Sequence, residues 1–209
     1  MDINQKIEEL KIVPVVVLHD AKDAVPLAQA LVDGGLPVAE VTFRTDAAEA
    51  SIREIAKAFP EMLVGAGTVT SVEQAEKAVA AGARFLVTAG FNRKVTEYAV
   101  EYNIPIFPGV CTPTELMFLL EYNLPVAKFF PAAQYGGLAT IKALSAPFPN
   151  MRFMPTGGIN AGNVREYLEN PKVIACGGIW MVKDALIKEG KFDEIRRLTA
   201  EAVDLVKDI

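Results

Sequence analysis

The stretch Pro125-Val126-Ala127-Lys128-Phe129-Phe130-Pro131 decides how the chain folds. It is short, apolar and closed by proline at both ends, which suits a strand buried on both faces and not a helix. Lys128 interrupts it, and is the only lysine or arginine between Lys94 and Lys142. Similar apolar runs precede it at 12–18, 37–42, 62–66, 84–88 and 105–107, and follow it at 151–154 and 173–176. Between them lie segments of helical period at 21–32, 47–58, 72–80, 95–102, 114–121, 138–145 and 163–168, then a long final one at 192–207. Ser71 with Gln74 three residues on predicts a capping box, and Thr112-Pro113 places proline at a first helical position.

Eight strand–helix units of roughly 25 residues predict an α/β fold, a (β/α)8 TIM barrel. A short extra N-terminal helix is expected before Lys11. A doubly wound open sheet is the competing architecture. No linker or low-complexity stretch divides the chain, so residues 1–209 read as a single domain.

Composition narrows the function. Of 209 residues, 51% are hydrophobic, which excludes a disordered chain. Lys plus Arg number 21 against 26 Asp plus Glu, a net charge of −5, so a basic nucleic-acid surface is not expected. No run of 18 apolar residues predicts a membrane span. The polar start of the chain lacks the apolar core of a signal peptide, and a cytoplasmic protein is expected. His19 is the only histidine, and Cys111 and Cys176 stand far apart, so neither a multi-histidine metal site nor a disulfide framework is expected. His19 itself reads as a solvated loop residue, the cysteines as small buried fillers and Trp180 as packing.

Against such apolar strands the polar residues stand out. The second strand reads Val38-Ala39-Glu40-Val41-Thr42-Phe43-Arg44, and period-2 alternation puts Glu40, Thr42 and Arg44 on one face, the barrel interior. A structural Glu40–Arg44 pair is the plain alternative to a functional site, although a buried ion pair is a poor source of stability. On the sixth strand the same alternation turns Lys128 and Phe130 inward. Desolvation disfavours an ammonium ion, and the neutral amine is the nucleophile of Schiff-base chemistry. A lysine snorkelling to solvent is the alternative. Alternate strands fill common layers of a barrel, so Glu40 and Lys128 can meet there. A carboxylate beside an imine-forming lysine is the minimum kit for dehydration and proton transfer at the adjacent carbon. Thr68 and Thr88 end the third and fourth strands. Glycine turns at Thr156-Gly157-Gly158 and Gly177-Gly178-Ile179 follow the last two, and a helix start after each predicts an anion site.

The motifs Glu40-Val-Thr-Phe-Arg44-Thr45, Gly65-Ala-Gly-Thr68-Val, Lys128-Phe-Phe-Pro-Ala and Pro155-Thr-Gly-Gly-Ile resemble those of the 2-dehydro-3-deoxy-phosphogluconate (KDPG/KHG) aldolases, class I enzymes. The resemblance covers essentially the whole chain. It implies a homotrimer of TIM barrels that cleaves 2-keto-3-deoxy-6-phosphogluconate to pyruvate and glyceraldehyde 3-phosphate, and also 4-hydroxy-2-oxoglutarate to pyruvate and glyoxylate. It implies Lys128 as the Schiff-base lysine, Glu40 as general acid/base, and Arg44 and Thr68 on the pyruvyl carboxylate. Thr156, Gly157, Gly158 and Gly178 would hold the distal phosphate, and Phe130 would wall the pocket. No metal or organic cofactor is implied, nor a nucleic-acid or membrane partner.

Two positions depart from the family pattern. Thr88-Ala89-Gly90 stands where Pro-Gly is frequent, and Ile179 stands where many members have serine. The loss of that hydroxyl predicts weaker discrimination for phosphorylated substrates. Aldolases for the epimeric 2-dehydro-3-deoxy-6-phosphogalactonate, a sugar-phosphate isomerase barrel that forms no imine, and a silent binding protein are the alternatives.

Overall fold

The structure, a computed structural model, describes residues 2–209. Helix α1 (Ile3–Leu10) opens the chain, capped by the Asp2 carboxylate on the Asn4 N–H at 2.9 Å. It buries Ile3 and Ile7, as expected of the segment before Lys11. Strands β1 (Ile12–Val16), β2 (Val38–Thr42), β3 (Leu63–Gly67), β4 (Leu86–Val87) and β5 (Ile106–Phe107) then alternate with helices α2 (Ala24–Asp33), α3 (Ala48–Ala58), α4 (Val72–Ala80) and α5 (Arg93–Glu101). The second half runs through β6 (Gly109–Val110), α6 (Pro113–Glu121), β7 (Val126–Phe129), α7 (Gly137–Ser145), β8 (Arg152–Pro155), α8 (Val164–Leu168), β9 (Cys176–Gly178), α9 (Asp184–Lys188) and α10 (Phe192–Asp204).

Every pairing is parallel. Six strands form one sheet in the order β5-β4-β3-β2-β1-β9, and three form another, β6-β7-β8. Single bridges, Phe153 to Val173 and Thr156 to Gly177, tie β8 to the segment of β9. Strand residues are buried almost without exception, as parallel strands covered by helices should be.

The expected fifth strand is two short pieces. Pro108 separates β5 from β6, because a residue without an N–H cannot continue the ladder. Its carbonyl still accepts from the Lys128 N–H at 2.9 Å, so β7 registers on β6 with Gly109 opposite Lys128. The last strand starts at the final residue of the apolar run and extends two residues past it, at Cys176–Gly178, where Ile12 and Pro14 of β1 pair with Cys176 and Gly178. Glycines carry no apolar signal, so the pattern stopped short of the backbone that pairs.

Helix starts follow their caps. Thr112 and Glu115 form a reciprocal capping box at α6, with Pro113 in its first turn. At α4 only half of the expected box exists. The Ser71 hydroxyl accepts from the Gln74 N–H at 3.2 Å, whereas the Gln74 carboxamide oxygen accepts from Thr70. Helix α9 has no counterpart in the sequence pattern, and α10 ends at Asp204, before Lys207. No helix among the described residues is long and apolar enough to cross a membrane.

Candidate active site

Lys128 on β7 and Glu40 on β2 come from different sheets and from positions 88 residues apart. The Lys128 Nζ donates to Glu40 Oε1 at 3.1 Å. Glu40 is fully buried and Lys128 is 3% exposed. The meeting of β2 with the sixth expected strand is therefore observed, and a snorkelling lysine is excluded. The Nζ also lies 5.3 Å from the centroid of the Phe130 ring, within cation–π range. Glu40 Oε2 is buried without a partner. A buried carboxylate oxygen left open beside an amine points to a ligand that completes the site.

Room for this carboxylate comes from β3. Glu40 sits opposite Gly65 in the β2–β3 register and Thr42 opposite Gly67. A Cβ on Gly67 would overlap the Glu40 carboxylate, and one on Gly65 would overlap the Phe85 ring. The motif Gly65-Ala66-Gly67 is thus a pair of close approaches on the strand beside the glutamate.

Arg44 does not share the buried face with Glu40. Strand β2 ends at Thr42, and Arg44 lies exposed in the following turn. Its Nε donates to the Thr68 hydroxyl at 3.3 Å. Thr68 holds a left-handed backbone, φ 54°. The expectation of an inward Arg44 is thereby corrected, and the alternative of a structural Glu40–Arg44 pair is not formed, because Glu40 pairs with Lys128. Thr42 spends its hydroxyl on the Val16 carbonyl at 2.9 Å.

A cavity of about 310 Å³ adjoins the pair through two of its walls: Phe130, whose ring lies 5.3 Å from Lys128 Nζ, and Val15, the register partner of Glu40. Phe130 and Val15 wall it, and Arg44 stands on one edge. Thr156, Gly157, Gly158, Gly178 and Ile179 line it as well, so the residues expected at the distal end converge, whereas Lys128, Glu40 and Thr68 lie outside its lining. The Thr156 hydroxyl is buried without a partner. Gly157 and Gly158 have φ 97° and 79°, which a side chain would strain. Expectation fails on the helix starts. Helix α8 begins only at Val164 and α9 only at Asp184, five residues long each, so any anion here meets the backbone of the turns and not a helix end.

Two residues on this rim gave no functional signal in the sequence. Lys183 and Asp184 line the cavity, being part of the unforeseen turn into α9. His19 is solvent-exposed, as expected of a loop residue, and its Nε2 also lies 3.0 Å from Asp184 Oδ1. The hydrogen bond from Lys188, with His19 adding to it, holds the Asp184 carboxyl below its ordinary range. The Trp180 ring packs where a Cβ of Gly178 would lie, as a packing residue should. Cys176 is buried and desolvation pushes its thiol strongly up, whereas Cys111 is only half-buried. A larger cavity of about 590 Å³ lies between α8 and α10, lined by Arg165, Trp180 and Lys207, and includes neither Phe130, which touches Lys128, nor the unpartnered Thr156 hydroxyl. The pair and the unsatisfied oxygens, not volume, locate the site.

A buried amine–carboxylate pair beside a glycine-lined cavity, on parallel strands, is the equipment of an enzyme acting on a small oxo acid. The chain belongs to the KDPG and KHG aldolase family, whose sequence profile matches residues 3–198. It is 45% identical to the 2-dehydro-3-deoxy-phosphogluconate aldolase of Haemophilus influenzae, covering 98% of this chain and 97% of that one. It is 43% identical to the KHG/KDPG aldolase of Escherichia coli K12, over 94% and 92% of the two chains. The KDPG aldolase of Legionella pneumophila, solved with pyruvate captured at low pH as a covalent carbinolamine intermediate, superposes with a TM-score of 0.93. The two are 40% identical over 97% of this chain and 98% of that one.

Proposed function

We propose that this chain is a class I aldolase that cleaves 2-keto-3-deoxy-6-phosphogluconate to pyruvate and glyceraldehyde 3-phosphate. It also cleaves 4-hydroxy-2-oxoglutarate to pyruvate and glyoxylate. The observation that carries the reading is the buried contact of Lys128 Nζ with Glu40 Oε1 at 3.1 Å. Family membership sets the substrate class.

In this reading the Lys128 amine attacks the C2 ketone and Glu40 relays protons as water leaves. The resulting iminium is the electron sink. Glu40, directly or through water, takes the C4 hydroxyl proton as C3–C4 breaks and the aldehyde departs. The enamine is protonated at C3, and water releases pyruvate. Arg44 and Thr68, joined at 3.3 Å, hold the pyruvyl carboxylate. Thr156, Gly157, Gly158 and Gly178 face the distal phosphate, and Phe130 walls the pocket.

The same reading closes the two sheets into one (β/α)8 barrel and one domain. Its supports are the Thr156–Gly177 and Phe153–Val173 bridges and the continuity of β5 with β6 through Pro108. It places the enzyme in a homotrimer, with Val100, Met117 and Leu120 leaving apolar surface on α5 and α6 for the contact. A phosphorylated, membrane-impermeant substrate places it in the cytoplasm.

The test is steady-state release of pyruvate from the phosphogluconate-derived substrate, its C4 epimer and 4-hydroxy-2-oxoglutarate. Greater kcat/KM for the first than for its epimer is expected. A preference for the epimer would assign the chain to the galactonate reaction, and no pyruvate from any of the three would overturn the reading.

A further inference from the structure

We infer that Lys183 is a specificity-determining residue for the distal anionic group of the substrate. The inference deepens the aldolase reading and rests on it for the identity of that group. Two cationic side chains line the 310 Å³ cavity, Arg44 and Lys183. Arg44 is engaged with the Thr68 hydroxyl. Lys183 follows the turn in which the Val182 N–H donates to the Ile179 carbonyl at 3.1 Å, which sets it on the rim beside Ile179.

Its charge is not spent elsewhere. Among the described residues no carboxylate lies within 4.0 Å of its Nζ. The acidic groups around it are already paired. Asp184 is held by Lys188 at 2.5 Å and His19 at 3.0 Å. Glu194, close enough to sense the lysine's charge, is held by Arg197 at 2.6 Å. An unpaired ammonium on the rim of a cavity whose floor is glycine backbone attracts a dianion such as a phosphate monoester. Ile179 cannot offer a hydroxyl to that group, and Lys183 offsets the loss by charge.

Trp180, the only tryptophan, gives a readout independent of turnover, since its ring packs against Gly178. Fluorescence titration with sn-glycerol 3-phosphate, with glycerol as control, is run on the parent, Lys183→Met and Lys183→Arg. A Kd roughly tenfold weaker in Lys183→Met, retained in Lys183→Arg, is expected, the size of a solvent-accessible charge-assisted contact. The difference should shrink at 1 M salt, where the Debye length is about 3 Å. In parallel, the ratio of kcat/KM for phosphorylated over unphosphorylated 2-keto-3-deoxygluconate should fall about tenfold in Lys183→Met. Equal Kd in parent and Lys183→Met, or a difference that salt does not move, overturns the assignment. Parent protein that binds glycerol phosphate through Lys183 yet releases no pyruvate overturns the aldolase reading and leaves the anion site standing.

Discussion

Gly67 and Glu40 occupy one space: the carboxylate of the glutamate lies where a side chain at position 67 would begin. The catalytic geometry proposed here therefore depends on a residue that contributes no functional group. Gly67→Ala should displace Glu40 from Lys128. Overpacking of this kind costs about 1–3 kcal/mol, and a displacement near 1 Å lowers turnover roughly 10²-fold. Denaturant unfolding together with kcat measures both. A fully active Gly67→Ala would show that the Glu40 position is not set by this contact.

The buried pair should cost stability that the chemistry requires. Lys128→Met leaves the Glu40 charge unpaired, and breaking one side of such a pair destabilises by about 3–5 kcal/mol. Replacing both, Lys128→Met with Glu40→Leu, should recover the parent stability or exceed it while abolishing activity. Glu40→Gln should fold and lose a factor of roughly 10² to 10⁴ in turnover. A double variant no more stable than Lys128→Met would mean that the pair carries net stability of its own.

Ile179 is 61% exposed on the cavity rim. Ile179→Ser should raise the phosphorylated-over-unphosphorylated ratio of kcat/KM, because a hydrogen bond to a charged group contributes about 1.5–3 kcal/mol, or about ten- to hundredfold. An unchanged ratio would show that side chain 179 does not reach the distal group.

The two thiols should differ in accessibility. Cys111 is half-buried, and its thiol is raised by desolvation and then by Glu115. Cys176 is sealed in β9. A disulfide reagent should titrate one thiol per native chain, faster as pH rises through the thiol range, and two after denaturation. Two thiols reacting at one rate in native protein would contradict the packing of Cys176.

The strand–helix alternation and the central pair were legible because burial makes strands apolar and leaves a lysine such as Lys128 conspicuous. Alternation also placed Glu40 inward, but it carried Arg44 inward too, since periodicity does not reveal that β2 stops at Thr42. The end of the last strand was hidden because Gly177 and Gly178 pair by backbone alone. Lys183 and Asp184 were illegible for another reason. They reach the cavity through the turn at Ile179–Val182 and a five-residue helix too short to leave a period. The role of Gly67 was invisible as well, because a close approach is a property of the neighbour in space.

The central claim is that Lys128 forms an imine with the oxo acid, and intact mass after treatment with pyruvate and borohydride tests it most directly. One reduced pyruvyl group per chain is expected, mapped to the peptide containing Lys128, with none in Lys128→Met. An adduct on another lysine, or no adduct at all, would contradict the account.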